Sequence, residues 1–153
     1  MSEFIYRGES EAIRLCAEGF QEYSKELAVN RSFSSIHDGL KPVQRRGIFA
    51  LYDNKVTKPT KSNKVVGYVM AIHPHSDDAI YDALVRMTAS NGSVKPSAFD
   101  SDGNTGDSTK DNGQAAPRYT SMWLSKLALD LFLDDMEGVE WKDTETDEGQ
   151  EPV

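Results

Sequence analysis

Ser62-Asn63-Lys64-Val65-Val66-Gly67-Tyr68-Val69-Met70, then Ala71-Ile72-His73-Pro74-His75-Ser76, then Asp77-Asp78-Ala79-Ile80-Tyr81-Asp82-Ala83-Leu84-Val85-Arg86-Met87-Thr88: this stretch decides how the chain folds. The first run predicts a helix from about Ser62 to Met70. The middle run is a tight corner. The last predicts a second helix from near Asp77 to about Thr88, with Ile80, Leu84 and Met87 inward and Asp77 and Asp78 suited to its first turn. Asp78, Tyr81, Asp82 and Arg86 are expected outward. Two short helices around a tight turn form a helix-turn-helix, whose second helix enters the DNA major groove. Its outward set is not strongly basic, so it is expected to position on the backbone rather than read bases. His73-Pro74-His75 could be read as a metal pair, but no cysteine and only scattered carboxylates accompany it. Phosphate or a reacting oxygen suits these histidines better.

Upstream, residues 1–9 carry no pattern and read as an arm; residues 10–153 read as one domain. Ile13, Cys16, Ala17, Phe20, Tyr23 and Leu27 recur at helical spacing between Ser10 and Ala28. Cys16 is the sole cysteine, which excludes an internal disulfide and suggests a reducing compartment; on that apolar face it is expected to be buried. Val29 to Ile36 reads as an extended, serine-rich connection whose one charge is Arg31. Asp38-Gly39 makes a turn, and Pro42 suits the first position of a helix reaching about Tyr52. Lys41, Gln44 and Arg45 crowd its start and Arg46 follows. Basic groups there oppose the helix dipole unless an anion is bound. An anion site and a solvated basic face both remain open readings.

Downstream, Ser90 to Asn112 is rich in Gly, Ser, Asp and Asn, with one strand expected near Val94–Phe99: a small β wing after the two helices. Asp100 to Gly106 resembles a calcium loop in outline, but Thr105 stands where glycine is needed and Asp111 where glutamate is. A long helix is expected from about Thr120 to Met136, then a short strand at Val139–Trp141 and an acidic, polar end. Arg118-Tyr119 would then sit at a helix start. There a phenol can act as a nucleophile on a phosphodiester, with a guanidinium and the helix N-terminus neutralising charge.

The 153 residues, 38% hydrophobic and 27% charged, suit one soluble domain with a core of its own. The net charge of −8 argues at first against nucleic acid, but it is unevenly spread. Lys41 to Lys64 holds seven basic residues and one acidic; Leu127 to Val153 holds ten acidic and one basic. Phosphate binding follows local clustering rather than the total, and the acidic end is expected to face away from DNA. No signal peptide or membrane-spanning run is present, which points to the cytoplasm.

Together these blocks resemble the winged-helix domain of the DNA-cleaving A subunit of type IIA topoisomerases (gyrase, topoisomerase IV and phage enzymes). Asp38-Gly39-Leu40-Lys41-Pro42-Val43-Gln44-Arg45-Arg46 is similar to that family's DGLKPVxRR block. Lys64-Val65-Val66-Gly67 with His73-Pro74-His75 is similar to its helix-turn-helix and HPHGD corner. Asp78 to Met87 resembles the recognition helix. Gly103-Asn104-Thr105-Gly106 and Ala115-Ala116-Pro117-Arg118-Tyr119-Thr120 resemble its GNFG and AAxRYT blocks. The resemblance spans roughly residues 20 to 152. It implies a mainly α fold with a small β wing, an α+β winged helix-turn-helix of the CAP-like DNA-binding kind. The chain departs from the pattern at Ser76, Thr105, Pro117 and Ser121, and Gln44 stands where many bacterial members have His.

The resemblance also implies roles. Tyr119 would form a transient 5′-phosphotyrosyl link, Arg118 would contact the scissile phosphate, and Arg31 would be a second catalytic arginine. Lys41, Gln44, Arg45, Arg46, Lys64, His73 and His75 would hold the DNA backbone. Asp78 and Asp82 match the positions that hold quinolone drugs through a bridging metal ion; the family often has Ser at the first. Mg²⁺ and ATP would come through a toprim/ATPase partner subunit of the B type, none being bound by this chain. Double-stranded DNA is the expected substrate, and homodimerisation is an option. The family continues into a tower, a coiled-coil gate and further C-terminal parts that this sequence lacks. Two further readings stand beside a topoisomerase cleavage domain: a catalytically silent module that binds DNA or a topoisomerase as decoy or regulator, and one piece of a split phage enzyme.

Overall fold

The computed structural model describes residues 11–88, 97–107, 112–132, 138–144 and 149–152. They divide into two compact units, Met1–Lys41 and Pro42–Val153.

In the first unit, α1 covers Glu11–Leu27, as the periodicity predicts, and runs into a π-helical turn at Ala28–Ser32. The extended connection expected from Val29 therefore begins only at Phe33, whose N–H donates to Ala28 O at 3.0 Å. Ile13, Phe20 and Tyr23 on the apolar face of α1 are exposed rather than packed into a core within this unit, among the described residues. No residue of the helix is buried, Phe20 is 69% exposed, and Cys16 is exposed rather than buried as expected. The turn after it is built as read. Asp38 Oδ1 accepts from Leu40 N–H at 2.8 Å, and Gly39 takes φ +71°, a value other side chains adopt with strain.

The second unit follows the winged-helix order. α2 (Pro42–Asp53) leads to a two-residue strand β1 (Thr60–Lys61); α3 (Ser62–Ile72) and α4 (Asp77–Val85) form the helix-turn-helix; β2 (Phe99–Asp102) and β3 (Ser121–Leu124) complete a sheet. The sheet is antiparallel in the order β1-β3-β2, with Thr60 opposite Met122, Lys61 opposite Ser121, and Phe99 opposite Leu124. Ile48, Ala50 and Leu51 of α2, Val65 and Val69 of α3, Ile80, Leu84 and Val85 of α4, and Phe99, Met122 and Leu124 of the sheet form one core. This is the mainly helical α+β winged-helix-like domain expected.

Three expectations give way here. The helix expected from Thr120 to Met136 is a central strand, β3, followed by a shorter helix, α5 (Lys126–Phe132). Ser125 divides them: its Oγ accepts from Ala128 N–H at 3.0 Å, an N-cap, and donates to Ser97 O at 2.8 Å. The wing strand starts at Phe99, where it was expected to end, because Ser97 and Ala98 are already fixed against Met87 and Ser125; residues 89–96 lie outside the described residues. The acidic end is not simply polar surface. β4 (Trp141–Asp143) pairs with β5 (Gln150–Pro152), Trp141 meets Phe49 of α2 edge-on at 5.2 Å, and Glu151 is buried.

Candidate active site

Residues 103–120 connect β2 to β3, and Arg118-Tyr119 occupies the turn just before β3. Tyr119 N–H donates to Ala116 O at 2.9 Å, closing that turn. No helix begins there, so the helix dipole expected beside Tyr119 is absent, and the cation must come from side chains. Arg118 supplies one: its guanidinium carbon stands 4.8 Å from the centroid of the Tyr119 ring. The phenol is 63% exposed while the next residue, Thr120, is fully buried. The phenol thus faces solvent from a backbone anchored one residue away.

That anchor is polar. Ser62 N–H donates to Thr120 O at 3.1 Å, and Ser62 Oγ and Thr120 Oγ1 are 2.8 Å apart. Thr120 Oγ1 is 2.9 Å from Tyr81 Oη, which donates to Ala115 O at 2.8 Å. Gln114 Nε2 donates to Asp82 Oδ1. Gly103 backs the same segment: a Cβ there would come 2.8 Å from Tyr119 O, and its φ is +91°. Asn104 holds the loop with bonds from Ala115 N–H to its O (2.9 Å) and from its Nδ2 to Gly113 O (3.1 Å).

The basic residues expected at the site are divided. Lys64 is exposed at the Ser62 end of α3, 5.6 Å over the Tyr68 ring. Lys61, not singled out in the sequence, is exposed on β1 opposite Ser121, two residues from Tyr119. His73 and His75 stack at 6.1 Å at the other end of α3, about 15 Å away for eleven helical residues. His73 is buried and His75 exposed. Gln44 and Arg45 are half-buried on the first turn of α2, and Lys41 is exposed just before it in the chain. Arg31 is exposed in the π-helical turn of the first unit. Asp78 and Asp82 are exposed on α4, as expected.

Three residues are more buried than expected: His73, at 6% exposure, Arg46 and Tyr81. Arg46 is 6% exposed: its Nε donates to Glu151 Oε2 at 2.5 Å and its Nη2 to Glu151 Oε1 at 2.9 Å. This guanidinium is engaged by a buried carboxylate and joins α2 to β5. Burial raises the Glu151 pKa, but bonding and attraction from Arg46 and then Lys142 outweigh it and hold the carboxyl below its ordinary value. Tyr81, expected outward, is 3% exposed with its hydroxyl turned into the wing. The sequence signal was there: Tyr81 precedes Leu84 and Val85 by three and four residues, on the inward side of α4. Ser62, Thr120 and Gly103 had no comparable signal, because their roles arise from long-range pairing.

Fold and site define a winged-helix-type domain presenting a solvent-facing tyrosine beside an arginine. A family model for the A subunit of DNA gyrase/topoisomerase IV matches residues 31–153, and the chain belongs to that family. It is 41% identical over 120 residues to the DNA gyrase A subunit of Spiroplasma citri, covering 76% of this chain and 52% of that protein. The Rickettsia typhi DNA gyrase A subunit is 43% identical over 75% of this chain and 13% of its own length; that of Streptomyces coelicolor is 38% identical over 88% and 16%. The chain therefore spans about half of the first relative and a small part of the other two.

Proposed function

We propose that this chain is the DNA-cleavage domain of a type IIA topoisomerase of the gyrase A kind. The observation that carries the reading is Tyr119: an exposed phenol under a guanidinium, on a turn whose neighbours on both sides are bonded into the core. Tyr119 Oη attacks a backbone phosphorus; the P–Oη bond forms and the P–O3′ bond breaks. The phenolic proton is lost and the departing 3′ oxygen gains one. The product is a 5′-phosphotyrosyl link that the 3′ hydroxyl can reverse. Arg118 offsets charge on the phosphate oxygens. Arg31 is the second arginine of the proposal. Lys41, Gln44, Arg45, Lys64, His73 and His75 hold the duplex backbone, and Lys61 joins them. Asp78 and Asp82 take the drug-facing positions on α4.

Among the described residues no three His, Cys, Asp or Glu side chains gather as a metal site. Mg²⁺ and ATP enter the proposal only through a toprim/ATPase partner of the B type. Double-stranded DNA is the substrate, with a homodimer as the working assembly. No helix among the described residues is long and apolar enough to cross a membrane; the proposed location is the cytoplasm, at the nucleoid.

The test mixes the chain with a B-type subunit, Mg²⁺ and end-labelled duplex DNA, then quenches with detergent. A covalent protein–DNA adduct is expected, and it disappears in Tyr119→Phe. An adduct that persists in Tyr119→Phe removes Tyr119 from its role. DNA binding with no adduct in either protein favours the silent binding module.

A further inference from the structure

Resting on the reading above, we infer that Tyr81, Thr120 and Ser62 are positioning residues that set the place of the Tyr119 phenol through a one-way chain of buried hydroxyls. The direction follows from donor counting. Ala115 O can only accept, so Tyr81 spends its single phenolic proton on it. Tyr81 Oη must then accept from Thr120, whose own proton is thereby used. Thr120 Oγ1 in turn accepts from Ser62. The chain runs Ser62 to Thr120 to Tyr81 to Ala115, with no alternative arrangement that satisfies all three bonds.

Its members come from three places: the first residue of α3, the middle of α4, and the two flanks of the Tyr119 turn. Ala115 lies four residues before Tyr119 and Thr120 one after it, so one tyrosine grips the turn on both sides. A second bond from α4, Asp82 to Gln114, sits beside the first grip. The Tyr119 side chain is mostly exposed, with the Arg118 guanidinium over its ring. Its position is therefore inherited from its backbone, and the hydroxyl chain joins that backbone to the helix-turn-helix. Movement of α4 against bound DNA would pass to the nucleophile by this route.

The test uses Tyr81→Phe, Thr120→Val and Thr120→Ser in the full chain, the last as the conservative variant that keeps the hydroxyl. Amide hydrogen exchange at Tyr119, whose N–H is bonded to Ala116 O, is compared with exchange at Leu51 and Val69 in the core. Tyr81→Phe and Thr120→Val are expected to speed exchange at Tyr119 at least tenfold relative to those core amides, and Thr120→Ser to restore it. With Mg²⁺ and a B-type subunit present, adduct formation at saturating DNA falls at least tenfold in the same two variants, while the DNA concentration giving half-maximal adduct stays within twofold. Unchanged Tyr119 exchange overturns the tether. So does a loss at Tyr119 that only matches the loss in the core. Altered exchange with unaltered adduct overturns the positioning role. A persistent adduct in Tyr119→Phe defeats the functional reading instead, and leaves the exchange result to decide the tether alone.

Discussion

At the scale of single residues, Tyr119 depends on what lies beneath its backbone. Gly103 is the closest of these supports. Any side chain there would meet the Tyr119 carbonyl within 2.8 Å, and φ +91° is a region L residues occupy at a cost of about 1–3 kcal/mol. Gly103→Ala is therefore expected to lower stability by at least about 1 kcal/mol in thermal or denaturant unfolding, and to reduce adduct formation by more than the lost folded fraction explains. A variant as stable and as active as the parent would show that the loop can move aside. Arg118 offers the converse case. Exposed, and stacked on one ring, it contributes little to folding, so its effect belongs to chemistry.

At the scale of elements, the join between α2 and the β4–β5 hairpin rests on a buried ion pair. Arg46 and Glu151 are both buried and bonded through two pairs of atoms, with Lys142 Nζ a further 3.2 Å from Glu151 Oε1. Removing one partner leaves a buried charge alone, at about 3–5 kcal/mol. Glu151→Gln should lower the unfolding free energy by an amount approaching this range. Because the folded carboxyl titrates below its ordinary value of 4.5, its stabilisation is present above that pH and is lost as pH falls through the lowered value. Urea midpoints measured downward from about pH 6 should show this fall in the parent and a smaller one in Glu151→Gln; equal slopes would mean the pair does not carry the acid sensitivity.

The elements also show what the sequence disclosed and what it withheld. The helix-turn-helix, α2 and the proline at its start were legible, because helical periodicity and turn residues are local signals. β3 was not. Leu124, Leu127, Ala128 and Leu131 continue a helical spacing straight through Ser125, and a four-residue apolar strand cannot be told from a helix end by periodicity. Pairing with Thr60–Lys61 and Phe99–Asp102 decided it, and those partners are far away in sequence. The same blindness hid Glu151 as the partner of Arg46, 105 residues apart, whereas Tyr81 carried a local inward signal in its spacing to Leu84 and Val85. At the site, the neighbouring pair Arg118-Tyr119 was legible because it is local in the chain. The polar anchor under them was not, since Ser62, Tyr81 and Thr120 acquire a role only when three elements meet.

At the scale of the whole molecule, a chain of net charge −8 is proposed to bind a polyanion. The proposed resolution is local clustering of basic residues along the chain. Ten acidic residues lie from Leu127 to Val153, where Glu151 is used internally, and Lys61 and Lys64 are exposed near the Ser62 end of α3. Binding should then depend on salt through those basic groups. Lys64→Ala is expected to lower the slope of log K against log salt by about 0.9 for each phosphate it no longer neutralises, equally on unrelated duplex sequences. An unchanged slope would take Lys64 off the interface.

The central claim is that Tyr119 becomes covalently joined to DNA, and a direct chemical identification tests it best. The adduct formed with Mg²⁺ and a B-type subunit is digested with nuclease and trypsin, and the nucleotide-bearing peptide is sequenced by mass spectrometry. Cleavage after Arg118 places Tyr119 at the start of the peptide ending at Lys126, which also holds Thr120, Ser121 and Ser125. A 5′-phosphodeoxynucleotide on the Tyr119 oxygen is the predicted result. A nucleotide on one of those hydroxyls, on another tyrosine, or on no peptide of this chain would contradict it.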